Sequence, residues 1–423
     1  MAVGDPHLLE GDTRMLRRDD LLDAGSPAGL EVWQLTTEAV SSSHVYMEAQ
    51  IFTPDSRRFL LHRSAHAHGS DRNDPEHRYL LCDLENHGEL APITQETGAT
   101  APSVSPDGQF IYYFSDRTGL RDGALTLKRV RLDGTDRLEI ACVPCPIVGF
   151  PGGPTHIYPL STISADGTRL ATAAFLGDGV MENAPYGLLV FDLRTGAAEV
   201  VLSGSSWCNL HPQYCRSPRG AAVRDILVQE NHGCAFDASG TVTTLVSGLG
   251  ADIHIIRDDG SDFRTMPWGR DGNEFCQGHQ CWRGRSTWAI TSTGTHSPSE
   301  AQLIEGRAGV EAGHLGLASP GACRNDLSRS CDNPHFYHFA TDIAGRRLIS
   351  DARHRDGTDG LYLFELGRAG RSPLRHGQRL LRPRSTWNKT CHVHPFLSPD
   401  GRTGFFNSDE TGTMQAYMVR GWR

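Results

Sequence analysis

His392 and His394 stand one residue apart in Thr390-Cys391-His392-Val393-His394-Pro395, just ahead of the turn-forming run Ser398-Pro399-Asp400-Gly401. In an extended segment residues i and i+2 point to the same side, so this spacing aims two imidazoles at one point. Paired imidazoles are what a divalent metal ion needs. A third candidate ligand, His279, lies far upstream in Gly278-His279-Gln280-Cys281-Trp282. If the fold brings His279, His392 and His394 together, the chain carries a three-histidine metal centre.

The elements that would position them follow from a recurring turn. Thr53-Pro54-Asp55-Ser56, Ser105-Pro106-Asp107-Gly108, Ser164-Ala165-Asp166-Gly167 and Ser398-Pro399-Asp400-Gly401 each precede alternating apolar residues. Pro and Asp-Gly supply a tight reversal, and the alternation supplies a strand. Weaker copies stand at Ser217-Pro218-Arg219-Gly220, Cys281-Trp282-Arg283-Gly284 and Ile343-Ala344-Gly345-Arg346. Further strands are expected at Tyr79 to Leu84, Leu188 to Leu193 and Leu361 to Leu366. Seven units of roughly 50–65 residues hold about four strands each, the content of a propeller blade. The expected fold is therefore all-β, a single-domain seven-bladed β-propeller over 48–423. Residues 1–47 form an N-terminal segment that could close the last blade. Helix is expected only in short pieces, as from Asp19 to Leu22, and Ser297 to Arg329 reads as a loop-rich insertion. The competing fold is a pair of stacked β-sandwiches.

Composition narrows the partners. The 423 residues are 38% hydrophobic and 22% charged, with a net charge of −9. That balance argues against nucleic acid and against anionic membranes as partners. No apolar run reaches the ~18 residues of a membrane span, and the start lacks a basic segment followed by an apolar core. A cytoplasmic protein is the expectation. The eleven cysteines are odd in number, and reduced thiols are expected in that compartment. Cys142/Cys145, Cys208/Cys215, Cys276/Cys281 and Cys323/Cys331 are the conceivable pairs. Cys142-Val143-Pro144-Cys145 has no second pair nearby, which disfavours a structural zinc.

Together, the S-P-D-G units, the G-H-Q-x-W segment and the H-x-H-P-x-x-S-P-D-G segment resemble the oligogalacturonate lyase family. His211-Pro212-Gln213, Asn231-His232-Gly233 and Asn333-Pro334-His335-Phe336-Tyr337-His338 fit the same order, and the resemblance runs roughly from residue 45 to 420. It implies a seven-bladed propeller that binds a divalent metal, typically manganese, in its central funnel. It also implies β-elimination of short pectin-derived oligogalacturonides in the cytoplasm. The implied metal ligands are His279, His392 and His394, with a glutamine where this chain has Lys389. Neighbouring Asn388 offers an amide oxygen instead. The implied catalytic base is His232, although Gly233 replaces the usual glutamate after it. The implied active-site arginine is Arg216, with Arg224 a weaker match. His338 is expected to face the funnel as a substrate or metal contact. His211, Gln280 and Lys389 complete the expected substrate-binding set, Lys389 by adding charge for a carboxylate.

Eliminating across a uronate removes the C5 proton beside the carboxylate and expels the O4 substituent. The reaction needs a cation on the carboxylate, a base near C5 and a proton donor near the leaving oxygen. A metal on neutral imidazoles serves as the Lewis acid, histidine suits the base, and arginine can grip a carboxylate with two hydrogen bonds. The expected partner is a uronic-acid oligosaccharide, and the Lys389 departure leaves the uronide open. Two alternatives use the same residues: a uronate isomerase or epimerase, and a non-catalytic sugar-binding propeller. No G-x-S-x-G, P-loop or dinucleotide fingerprint occurs in a fitting context.

Overall fold

The computed structural model describes residues 15–64, 74, 77–119, 123–143, 145–245, 250–268, 275–294, 314–321, 324–328, 336–353, 359–367, 374–388 and 391–422. The repeating unit starts from its turn. In Ser105-Pro106-Asp107-Gly108 the Ser105 hydroxyl donates to the Asp107 carboxylate at 2.5 Å, and that carboxylate accepts the Gln109 N–H at 3.0 Å. Ser105 Oγ also accepts the Phe110 N–H at 3.0 Å. These side chains take up backbone groups that the reversal leaves unpaired. Gly108 closes the turn at φ +69°, a left-handed conformation natural to glycine. Thr53/Asp55, Ser164/Asp166 and Ser398/Asp400 repeat the arrangement.

The weaker copies differ in register. The expected reversals at Cys281 to Gly284 and Ile343 to Arg346 are instead set at Arg283 and Asp342. There Arg283 N–H bonds Trp288 O at 2.8 Å and Asp342 N–H bonds Arg347 O at 3.2 Å. In the second of these Asp342 itself accepts the Arg346 and Arg347 amides, at 2.7 and 2.9 Å. After Ser217-Pro218 the chain makes a 3-10 turn, Gly220–Arg224, before the next strand.

Seven antiparallel blades result. Blade 1 comprises Ser42–His44, Arg58–Arg63, Arg78–Asp83 and Glu89–Pro92; blade 2 comprises Ala99–Val104, Phe110–Asp116, Leu125–Arg131 and Leu138–Val143. Blade 3 is Thr162–Ile163, Arg169–Phe175, Tyr186–Asp192 and Ala198–Gly204; blade 4 is Gln213–Tyr214, Asp225–Asn231, Ala251–Arg257 and Arg264–Thr265. Blade 5 is Phe275–Trp282, Ala289–Gly294, His314–Ala318 and Asn325–Asp326; blade 6 is Phe336–Thr341, Arg347–Arg353, Asp359–Glu365 and Arg375–Leu381. Part of the stretch expected to be a loop insertion thus forms outer strands of blade 5. Blade 7 has Phe396–Leu397, Thr403–Ser408 and Gln415–Arg420, and takes its fourth strand, Glu31–Gln34, from the N-terminal end of the chain.

The apolar faces of neighbouring blades pack on one another. Leu127 and Ala141 of blade 2 meet Ile163, Leu189 and Phe191 of blade 3. Ile349 and Leu363 of blade 6 meet Phe406 and Tyr417 of blade 7, together with Val32. Each of the valine, leucine, isoleucine and phenylalanine side chains among these contributes roughly 1.5–3 kcal/mol when fully buried. His44 sits at the seam between blades 1 and 7. Its backbone N–H donates to Asn407 Oδ1 at 2.7 Å, and its Nε2 bonds the Tyr417 carbonyl oxygen at 2.9 Å.

Among the described residues there is no α-helix; the segment expected at Asp19 to Leu22 is a 3-10 turn, Asp19–Leu21. Among those residues no helix is long and apolar enough to cross a membrane. The nine described cysteines are free thiols, so Cys142/Cys145, Cys208/Cys215 and Cys276/Cys281 form no disulfides. Cys323 and Cys331 lie outside the described residues.

Candidate active site

Each inner strand runs toward its blade's turn, so residues at the start of the inner strands share one end of the central channel. Four residues ahead of the turns that begin at Arg283, Asp342 and Ser398 stand His279, His338 and His394. Three successive blades thereby offer an imidazole at one height. The His279 and His338 ring centroids are 4.6 Å apart, those of His338 and His394 4.3 Å, and those of His338 and His392 5.3 Å. One ligand atom from each of His338, His392 and His394 lies within 4.8 Å of the others. The structure therefore groups His392 and His394 with His338, and sets His279 beside His338.

The local backbone differs from the regular strand expected at His392 to His394. The inner strand of blade 7 begins only at Phe396, and His394, wholly buried, takes φ +42°. A non-glycine residue in that region is strained, and such strain gathers at functional sites. The two imidazoles still converge, with ring centroids 5.2 Å apart. The segment is pinned by the Asn407 N–H, which donates to the Val393 carbonyl at 2.8 Å. On the facing side Gly278 takes φ +84°, and a Cβ there would stand 2.5 Å from the Gln229 side chain. Glycine is what lets His279 approach.

Asp351, on the second strand of blade 6, holds His338 twice. It accepts the His338 backbone N–H at 2.8 Å and lies 2.8 Å from the ring Nδ1. A carboxylate on Nδ1 fixes the ring's orientation and turns the Nε2 lone pair outward. Burial pushes the Asp351 carboxyl up to about 7. Burial also pushes the imidazoles of His279 and His338 well below their ordinary value, and the adjacent imidazoles add to the effect. Both rings are neutral at physiological pH, with a lone pair to offer. The His279 Nδ1 is buried without a hydrogen-bond partner among the described residues.

Beside this cluster lies a second group. Tyr46 packs against His394 at 4.8 Å and against His211 at 5.6 Å between ring centroids. His211, itself left-handed at φ +46°, places Nδ1 2.8 Å from Glu48 Oε2. Burial raises the Glu48 carboxyl, opposed by the His211 ring. Glu48, Asp351 and Tyr46 were not singled out from the sequence. Their signal was position: Tyr46 and Glu48 precede the first turn, and Asp351 is an acid inside an apolar strand.

The remaining expected residues are scattered. Gln280 is fully buried, with neither end of its amide hydrogen-bonded among the described residues, and strand alternation turns it away from the His279 side. Lys389 lies outside the described residues, and Asn388 is exposed. Arg216 lies three residues beyond Gln213 toward the turns. It lines a cavity of about 260 Å³ with Phe52, Pro106, Pro218, Ile343 and Pro399, at the turn end of the channel. Arg224 is occupied between blades, paired with Asp166 at 3.1 Å and Asp258 at 3.4 Å. His232 follows the second strand of blade 4, its Nε2 2.9 Å from Asp252 Oδ2.

No family model and no curated relative matches the chain. Solved structures do. An oligogalacturonate lyase in complex with manganese aligns with a TM-score of 0.68 at 19% identity, over 97% of each chain. An oligogalacturonate lyase from Vibrio parahaemolyticus aligns with the same TM-score at 16% identity, over 96% of this chain and 97% of its own. The β-propeller domain of the trilobed protease from Pyrococcus furiosus reaches 0.50 at 11% identity, over 91% and 97%. The chain is thus a seven-bladed propeller of the architecture found in oligogalacturonate lyases.

Proposed function

We propose that this chain is a metal-dependent lyase that cleaves short uronic-acid oligosaccharides by β-elimination. The observation that carries the reading is the convergence of His338, His392 and His394, with His279 against His338, at one end of a channel whose fold is that of oligogalacturonate lyases. The donor set fits a divalent first-row ion: the imidazoles of His279 and His338 are neutral, and His338 is oriented by a carboxylate behind it. We assign the ion to these four histidines, with manganese as the metal. When bound, it would supply Lewis-acid neutralisation of the substrate carboxylate.

The chain's own residues do the rest. We give the general base to His211 rather than His232. Glu48 holds His211 Nδ1, which leaves Nε2 to take the C5 proton, and Tyr46 links His211 to the imidazole cluster. A carboxylate on one ring nitrogen also stabilises the imidazolium that forms. His232 has its Nε2 engaged by Asp252 on blade 4. Arg216 faces the cavity at the turn end, so its permanent charge acts on the substrate only through the channel. The buried ring of Tyr46 and the half-buried ring of Tyr158 pack against the base and limit the water around it.

A panel of uronic-acid oligosaccharides with added manganese, analysed by mass spectrometry, tests the reaction class. Elimination yields an unsaturated end lighter by one water than the hydrolysis product. Products of unchanged mass with inverted C5 would point to an epimerase instead, and no product from any uronide would refute the reading.

A further inference from the structure

A second group of metal-ligating side chains stands apart from the imidazole cluster, on blade 4. Strands Asp225–Asn231 and Ala251–Arg257 pair antiparallel, with Glu230 opposite Asp252 and Val228 opposite His254. Residues two apart share a face of a strand. Asp252 and His254 therefore face the same way, and His232, in the turn just after Asn231, reaches Asp252 from beyond the strand end. The pairing puts the Glu230 and Asp252 carboxylates opposite each other, with His254 flanking them along the ladder and His232 touching Asp252 from the turn. His254 Nε2 lies 3.2 Å from Glu230 Oε2, and His232 Nε2 lies 2.9 Å from Asp252 Oδ2. Ligand atoms of Glu230, Asp252 and His254 lie within 4.8 Å of one another.

Two carboxylates directly opposite in a ladder repel each other. Both stand partly buried here, with side chains 23% and 16% exposed. Their neighbours fix the orientation of the ligand atoms. Ser206 Oγ donates to the other Glu230 oxygen at 2.7 Å, and Thr265 Oγ1 lies 3.2 Å from His254 Nδ1, fixing which ring nitrogen faces the carboxylates. Phe263 and Trp207 wall off the His254 ring at centroid distances of 4.7 and 5.7 Å. An imidazole anchored on one nitrogen, a carboxylate anchored on one oxygen and an apolar wall are the surroundings of a metal ligand set.

We propose that Glu230, His232, Asp252 and His254 form a second divalent-cation site, of two imidazoles and two carboxylates. Such nitrogen and oxygen donors suit zinc or a neighbouring borderline ion rather than calcium or magnesium. The site takes His232 as a ligand, which accords with the base being His211.

Counting bound zinc tests this. Metal-stripped full-length chain is dialysed against Zn²⁺ and analysed by inductively coupled plasma mass spectrometry. The Glu230→Gln/His254→Asn and His338→Ala/His392→Ala variants are treated alike, and circular dichroism checks that each is folded. Two ions per chain are expected in the wild type and one in each variant. A blade 4 variant that keeps the wild-type count overturns the proposal. So does a single wild-type ion lost only from His338→Ala/His392→Ala, an outcome that leaves the lyase reading standing. A single ion lost only from the blade 4 variant supports the proposal and removes the metal from the lyase reading. Should the double substitution fail to fold, Asp252→Asn keeps the side-chain shape. It is expected to weaken zinc binding by about tenfold or more, and unchanged affinity would overturn the proposal.

Discussion

At the scale of single residues, the site rests on side chains held from behind. His338 is oriented by Asp351, and His211 by Glu48. The second pair carries the base, so His211→Ala should lower kcat for elimination by roughly 10²–10⁴-fold while the protein still binds manganese. His232→Ala should leave kcat within a few-fold. Steady-state kinetics beside a metal titration checks both, and the opposite ranking would return the base to His232. Gly278 sets a different limit. A methyl group there would meet the Gln229 side chain, and alanine tolerates φ +84° poorly. Gly278→Ala should cost about 1–3 kcal/mol in urea unfolding and weaken metal binding by displacing His279. Unchanged affinity would show that His279 is dispensable to the ion.

Among the elements, turn chemistry explains what was legible in the sequence. Ser-x-Asp-Gly announces itself because its side chains make the turn's hydrogen bonds, so the reversals after Val104, Ile163 and Leu397 were plain. Arg283 and Asp342 open turns without that signature, and their register was misjudged by two residues and one. That slip hid the equivalence of His279, His338 and His394, which the correct count makes visible. His392 and His394 were legible from their spacing alone, though the left-handed His394 was not, since no residue type announces it. Asp351, in a strand, and Glu48, in a turn, were missed because an acid reads as a surface residue until its blade is placed. Arg216 was suggested by an order of motifs; just beyond the Gln213–Tyr214 strand, it lines the cavity at the turn end.

The whole molecule is a ring, and its seam has a measurable property. His44 is fully buried where blade 1 meets blade 7, among Phe59, Phe396 and Phe405. Burial pushes its imidazole down to about 3. The unfolded chain takes up a proton near the ordinary value of about 6.5, whereas the folded chain refuses it, so stability is full above that value and falls as the pH drops toward 3. Between pH 7 and pH 5 this residue should cost roughly 2 kcal/mol of folding stability. Urea unfolding at both values should show that loss in the wild type and a smaller one in His44→Gln; equal losses would rule out the seam as the titrating point. The ring also brings histidines from three blades to one end of a single channel, and the lyase reading depends on that convergence. Its most direct test is the appearance of unsaturated uronide, followed by ultraviolet absorbance as manganese is returned to metal-stripped protein. Product should form only once manganese is present, and not at all in His338→Ala/His392→Ala. Undiminished elimination by the stripped protein, or by that variant, would contradict a metal centre built from these histidines.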